Sequence, residues 1–134
     1  MNNKTNELII EATTENIQTA IDFVELNTED LPIKAQHQIN IAVDEILANI
    51  ANYAYHPEVG TVTIRISVGD TVILEFEDAG IPYNPLEQEE PDITASLEDR
   101  ELGGLGIFMT KKLMDKVEYK RVGNKNILIL KKNL

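Results

Sequence analysis

The segment ELGGLGIFMTKKL, residues 101–113, places three glycines directly before an apolar pattern with helical spacing. Glycine is the least favourable ordinary residue in a helix apart from proline, so Gly103, Gly104 and Gly106 need a reason. Glycines at a helix start let the backbone approach a ligand closely, and the free N–H groups and the helix dipole attract anions such as phosphate. The segment is neither a Walker A loop nor a dinucleotide fingerprint. A phosphate-binding loop and a flexible hinge both remain open here.

The elements on either side of this segment predict an α+β fold. A strand is followed by two helices, a hairpin, a long loop, a third helix and a second hairpin. The expected bounds are 7–12 for the first strand, about 15–25 and 32–55 for two helices, turns at Gly69-Asp70 and Gly123-Asn124, a short helix near 93–97, and a third helix over about 104–114. This order predicts one domain over 1–134, a two-layer α/β sandwich whose mixed, mostly antiparallel sheet carries three helices on one face.

Composition and charge exclude several classes of function. The net charge of −11 argues against direct binding of nucleic acid or an anionic membrane. The absence of cysteine excludes a disulfide framework and a cysteine nucleophile. No secretory signal or membrane-spanning stretch is evident, so we expect a cytoplasmic protein. Residues 75–101 hold ten Asp or Glu, whereas 111–134 hold eight Lys or Arg. This uneven distribution of charge along the chain fits either a solvated surface or a protein-docking face.

The second predicted helix has a polar border beside its apolar face. At about 100° per residue, one sector contains Ile39, Val43, Ile46, Ile50 and Tyr53. Its border contains Gln38, Glu45, Asn49 and Asn52, and Asp44 lies on the far, solvated side. Glu45 and Asn49 are one turn apart, so both can reach one point. They are either ligand-binding groups or polar residues that meet water.

A further candidate, Asp78, stands at the end of the predicted strand TVILEFED and is followed by Gly80 and the stiff Pro82. A buried aspartate at a strand end can accept a hydrogen bond from a ligand amine, but an aspartate before glycine is also common in turns. A carboxylate hydrolase that uses Glu75 and Glu77 is disfavoured, because strand alternation places both on one face, expected to be outward.

These elements, taken in order, resemble the Bergerat-fold ATP-binding family. Glu45-x-x-x-Asn49, Asp78-x-Gly80 and Gly104-x-Gly106 at a helix start follow that family's arrangement. The phrases DEILANIANYAYHP, EDAGIPYNP and GGLGIFMTKKLMDKVEYKRVGN are most similar to those of the small anti-sigma-factor serine kinases. The resemblance covers about residues 7–132.

The resemblance implies specific roles. Glu45 would be the general base, Asn49 the Mg²⁺ ligand, and Asp78 the contact to the adenine amine. Gly80 would leave room for the base, and the glycines of 103–106 would hold the phosphates. The implied ATP-binding set is Asn49, Asn52, Asp78, Gly80, Pro82, Arg100, Gly103, Gly104, Leu105, Gly106 and Ile107.

The acidic segment of about 85–102 resembles the ATP lid of this family. Arg100 within it is either a phosphate contact or the partner of Glu98 or Asp99. The implied activity is ATP-dependent phosphorylation of a serine on a STAS-type anti-anti-sigma partner, combined with sequestration of a sigma factor. A homodimer is expected. The alternative is a nucleotide-dependent protein-binding regulator without kinase activity. A histidine kinase is disfavoured, since only His37 and His56 occur and no separate phosphoacceptor helix is evident.

Overall fold

The described part of the chain forms a five-stranded antiparallel sheet with three helices packed on one face. The computed structural model describes residues 4–55, 58–87 and 102–134. The strands are β1 (Lys4–Glu11), β2 (Thr61–Val68), β3 (Thr71–Asp78), β4 (Lys116–Val122) and β5 (Lys125–Asn133). The helices are α1 (Ile17–Asn27), α2 (Ile33–Asn49) and α3 (Leu102–Leu113). The predicted fold class, both hairpins and all three helices are confirmed.

The strand order corrects the expectation of a mixed sheet. The order is β1-β2-β3-β5-β4, and each of the four described pairings is antiparallel. The connection from β3 through α3 brings β4 in parallel to β3. However, β5 turns back at Gly123 and inserts between the two. The crossover therefore produces no parallel pair.

The core lies between the helices and the inward face of the sheet. Alternate residues of the central strands point inward, as in β3, where Val72, Leu74 and Phe76 are buried. They pack against Ile39, Val43 and other apolar residues of α2. Alternate residues of the strands pack against one apolar face of the helix. Both patterns are visible in the sequence, which explains why the two layers are predicted well.

A π-helical turn extends α2 from Ile50 to Ala54 and changes which residue is buried. A π turn contains one more residue than an α turn, so each later side chain rotates relative to the α-helical expectation. As a result Ala54 is 6% exposed, whereas Tyr53 is 46% exposed. The prediction that Tyr53 lies on the buried face is therefore wrong.

The outer sheet face carries a row of charges centred on Arg65. Its guanidinium contacts Glu7 at 2.8 Å, Glu75 at 2.7 Å and Glu77 at 3.4 Å, and Lys125 reaches Glu77 at 3.2 Å. The outward placement of Glu75 and Glu77 is thus confirmed, and their partners account for them without a hydrolytic role.

Two local features remain, one at the entry to α1 and one in the long loop. Thr13 precedes a 3₁₀ turn (Thr14–Asn16) that leads into α1, but its side chain makes no cap hydrogen bond. The short helix expected near 93–97 lies outside the described residues. Within the described part of the chain, no helix has the length and apolarity needed to cross a bilayer.

Candidate functional site

The carboxyl end of α2 and the inward face of the sheet enclose a cavity of about 40 Å³. Its lining residues are Ile46, Asn49, Ile50, Ala54, Phe76, Asp78, Tyr83, Pro85, Tyr119, Asn126 and Leu128. Most of this surface is apolar, and a few polar groups converge on it, which is typical of small-molecule sites. Asn49 and Asp78, which belong to two separate predicted motifs, meet here.

The most buried carboxylate of the site is Asp78, which is 7% exposed at the end of β3. Its Oδ1 accepts hydrogen bonds from the Gly80 N–H at 2.9 Å and from Asn126 Nδ2 at 3.0 Å. Asp78 thus forms the Asx-type turn that the sequence allowed, and it lines the cavity as well. The turn and ligand interpretations are compatible.

Asn126 is the polar centre of the cavity wall and was not predicted from the sequence. It lies opposite Asp78 in the β3–β5 register and is 6% exposed. Its amide also donates to Ile81 O at 2.7 Å and accepts from the Tyr119 hydroxyl. The only signal in the sequence is its phase in the strand NILIL, which places Asn126 on the same face as Leu128 and Leu130.

Asn49 presents a buried donor to this region. Among the described residues, its Nδ2 is buried and has no hydrogen-bond partner. Leaving such a group unsatisfied costs about 1–3 kcal/mol, so it is either paired by a ligand or retained for a function. This observation fits a ligand-binding amide better than a surface residue.

Glu45 lies one helical turn before Asn49 and is half-buried. Burial raises the pKa of Glu45 above its ordinary value, and the charge of the neighbouring Asp44 adds to the rise. A carboxylate whose pKa is moved toward neutrality is suited to proton transfer. Glu45 does not line the cavity itself. Asp44 is exposed, as expected.

Tyr55 ties the end of the π turn to the strands beside the site. Its hydroxyl donates to Thr61 O at 2.7 Å and accepts from the Ala79 N–H at 2.6 Å. Burial raises the pKa of Tyr55, and the charge of Asp78 adds to this, although the Ala79 N–H opposes it. The hydroxyl therefore stays protonated and keeps its donor role.

Two tyrosines stack beside the cavity. The rings of Tyr53 and Tyr83 have centroids 6.0 Å apart with 30° between their planes. Tyr83 and Pro85 also line the cavity, so the segment over 81–87 covers part of it. A space of about 40 Å³ holds a few water molecules. A purine is larger than this space.

Other predicted site residues are placed less directly. Asn52 and Pro82 are exposed, and neither lines the cavity. The Ile107 side chain belongs to the core, at 3% exposure. The backbone of 103–106 lies in the first turns of α3, which packs against α2 and against the 3₁₀ turn Pro85–Glu87. Arg100 and residues 88–101 of the expected lid lie outside the described residues.

A cation site built only from protein side chains is not found in the parts of the chain that the structure covers. No three His, Cys, Asp or Glu residues come together there in a metal-binding group. Mg²⁺ is commonly held by one or two protein ligands together with substrate phosphates. The Asn49 side-chain oxygen suits the role of such a ligand for Mg²⁺ that is bound to phosphates. The described residues do not provide enough ligands to hold Mg²⁺ without them.

Comparison with known proteins gives matches over most of the chain. The family model described as a histidine kinase-like ATPase domain matches residues 10–132. The serine/threonine-protein kinase BtrW of Bordetella bronchiseptica is 27% identical over 135 residues, covering 97% of this chain and 94% of that protein. An anti-sigma F factor of Caldanaerobacter subterraneus is 30% identical over 102 residues, covering 75% of this chain and 71% of that protein.

Proposed function

The chain belongs to the histidine kinase-like ATPase domain family, which implies ATP binding, and we propose that it is an ATP-dependent protein serine kinase. Its acceptor would be a serine on a STAS-type anti-anti-sigma protein, and it would also sequester a sigma factor. The observation that carries the proposal is the convergence of Asn49 and Asp78 on one cavity. The two relatives, a serine/threonine-protein kinase and an anti-sigma factor, support the same class of function.

The cavity wall suits the adenine end of the nucleotide. Phe76, Leu128 and Ile50 supply apolar surface, and the buried Asp78 supplies an acceptor. Adenine presents an exocyclic amine, which is a donor. In this proposal Asp78 accepts from that amine, and the 81–87 segment opens to admit the base.

The phosphates would lie toward the start of α3. Backbone N–H groups in the first turn of a helix have no partner within the helix, and the dipole there favours anions. We place Gly103 and Gly104 at the phosphates through these groups, and Leu105 and Gly106 beside the phosphates in the next turn of α3. Asn52, Pro82 and Arg100 stay in the proposed set as residues whose side chains contact the nucleotide. Ile107, whose side chain lies in the core, would contact it through its backbone.

Asn49 would hold Mg²⁺ through its side-chain oxygen, together with the phosphates. The ion supplies cationic charge for the transferring phosphoryl group, in a protein of net charge −11. The buried Asn49 Nδ2, which has no partner in the part of the chain that the structure describes, is available to a phosphate oxygen or another acceptor.

Glu45 would act as the general base. It accepts the proton of the acceptor serine as that oxygen bonds to the γ-phosphorus, while the bond from this phosphorus to the β-phosphate oxygen breaks and ADP leaves. The pKa of Glu45, raised by burial and by Asp44, makes the carboxylate a stronger base than an exposed glutamate. Phosphoryl transfer depends mainly on positioning and charge neutralisation, so a modest base suffices.

The partners are proteins in this proposal. ATP would favour binding of one partner protein, and ADP would favour binding of the other. The lid would couple the bound nucleotide to the choice of partner. The acidic charge disfavours direct contact with nucleic acid. We propose a homodimer as the working assembly.

The test is phosphotransfer in vitro. The protein is incubated with Mg-ATP labelled at the γ-phosphate and with candidate STAS proteins, and phosphoserine is identified by mass spectrometry. Glu45→Gln should keep ATP binding and lose the label. Labelling that survives Glu45→Gln removes the general-base assignment. ATP binding without transfer to any STAS protein would favour the alternative, a nucleotide-dependent regulator without kinase activity.

A further inference from the structure

We propose that Asn126 is a positioning residue that holds Asp78 as a hydrogen-bond acceptor and thereby sets a preference for adenine over guanine. This inference rests on the proposed function, in which Asp78 contacts the base. It adds a residue on β5 to the proposed nucleotide site and gives a physical cause for selectivity between bases.

The hydrogen bonds of Asn126 fix the orientation of its amide. Nδ2 donates to Asp78 Oδ1 at 3.0 Å and to Ile81 O at 2.7 Å. Oδ1 accepts from the Tyr119 hydroxyl and from the Tyr83 N–H at 3.3 Å. If the amide were reversed, Asn126 Oδ1 would face two acceptors, Asp78 Oδ1 and Ile81 O. Asn126 Nδ2 would then face a donor, the Tyr83 N–H. Only one orientation satisfies this buried group.

That orientation divides the two oxygens of Asp78 between different tasks. Oδ1 accepts from both Asn126 Nδ2 and the Gly80 N–H. Oδ2 makes no hydrogen bond to any residue in the described ranges. The carboxylate is thereby anchored through Oδ1, and Oδ2 is the oxygen available to a ligand in the cavity.

An anchored acceptor discriminates between purines. Adenine carries an amine donor where guanine carries the O6 acceptor. Guanine would place an acceptor against Asp78 Oδ2 and leave both buried groups unpaired. A site built to hydrogen-bond one group rejects an analogue that lacks it far more strongly than an apolar pocket does. Free rotation of the carboxylate would weaken this rejection.

Asn126 also connects base recognition to the segment that covers the cavity. Its amide holds Ile81 and Tyr83 through their backbone groups, and Tyr83 lines the cavity. The same side chain therefore orients Asp78 and holds the covering segment in place. Loss of Asn126 would affect both.

The experiment compares binding of Mg-ATP and Mg-GTP to the full chain by calorimetry. Asn126→Asp replaces the donor with an acceptor beside Asp78, so we expect ATP affinity to fall about tenfold or more, by the cost of an unpaired buried group. GTP affinity should change much less, and the ATP-to-GTP ratio should narrow. Asn124→Asp is the matched control, because it adds the same charge in the exposed turn. It should leave the ratio unchanged.

A second variant and a second readout keep the test decisive. Tyr119→Phe removes one donor to the amide oxygen and should narrow the ratio by a smaller factor, even if Asn126→Asp fails to fold. Amide exchange at Tyr83, measured without nucleotide, should be faster in Asn126→Leu, which removes the oxygen that accepts the Tyr83 N–H. An unchanged ATP-to-GTP ratio in folded Asn126→Asp and in Tyr119→Phe overturns the inference but leaves the proposed function standing. A wild-type chain that binds neither nucleotide overturns both.

Discussion

The backbone of Gly80 lies directly against the carbonyl group of Ala54. A Cβ at position 80 would stand 2.3 Å from Ala54 O and 2.7 Å from its carbonyl carbon. The same oxygen accepts the Ile81 N–H at 3.0 Å. The end of the π turn is thus joined to the loop after β3 by a contact that only glycine permits. The resemblance implies that Gly80 leaves room for a base, and this contact gives a reason for glycine that needs no ligand.

The contact predicts that Gly80→Ala destabilises the protein even without nucleotide. Because the clash is with backbone, the loop must shift, and we expect the free energy of unfolding to fall by about 1–3 kcal/mol, the usual cost of overpacking. Urea denaturation measures this. The control is Gly123→Asn, since Gly123 has φ 61°, open space around it and a conformation that asparagine tolerates. Equal stability of Gly80→Ala and wild type would contradict the contact.

Asn49→Leu should separate stability from nucleotide binding. The substitution removes a buried donor that has no partner among the described residues, so the ligand-free protein should be as stable as wild type or more stable. The rise in Tm on addition of Mg-ATP should disappear, because the Mg²⁺ ligand is lost. Thermal unfolding with and without Mg-ATP measures both effects. A variant that is destabilised but still responds to Mg-ATP would show that Asn49 is structural.

The pH profile of phosphotransfer should depend on Asp44. The base must be deprotonated, and the pKa of Glu45 is raised by burial first and by Asp44 second. Activity should therefore fall, as pH decreases, at a higher pH than an ordinary glutamate would give. Asp44→Asn removes one of the two causes of the raised Glu45 pKa. The acid limb of the pH–rate profile should therefore lie at lower pH in this variant than in wild type. Initial rates across pH measure this, and an unmoved limb in Asp44→Asn would contradict the contribution of Asp44 to the raised pKa of Glu45.

The charge row on the outer face should make stability depend on pH. Burial alone would raise the pKa of Glu77, but Lys125 and Arg65 outweigh it and lower the pKa below its ordinary value of 4.5. This stabilisation is present above pH 4.5 and is lost as pH falls through the folded-state pKa. Lys125→Met should therefore cost up to about 1 kcal/mol at neutral pH, since the pair is partly exposed, and less in acid. Urea denaturation at several pH values measures the difference, and a cost that does not shrink in acid would contradict it.

Much of the fold follows from local pattern, because alternation and helical spacing report directly on burial. The strand TVILEFED predicts which side chains of β3 face inward, and Asp78 is correctly placed at its end. Tyr53 shows where this method fails. A helical wheel assumes one turn geometry throughout, and the π turn over Ile50–Ala54 breaks that assumption.

Part of the site depends on contacts between distant segments. Asn126 and Asp78 meet because β5 inserts beside β3, and the local sequence of β5 gives no indication of that neighbour. The same insertion removes the parallel pair that the connection through α3 suggested. Predicted residues on separate segments, such as Asn49 and Asp78, were brought together by the resemblance and not by spacing.

Calorimetric titration with ATP and ADP in the presence of Mg²⁺ tests the central claim most directly. The account predicts saturable heat with one nucleotide per chain, and loss of that heat in Asp78→Leu and Asn49→Leu while both variants remain folded by circular dichroism. Absence of heat with both nucleotides in the wild-type protein would contradict it.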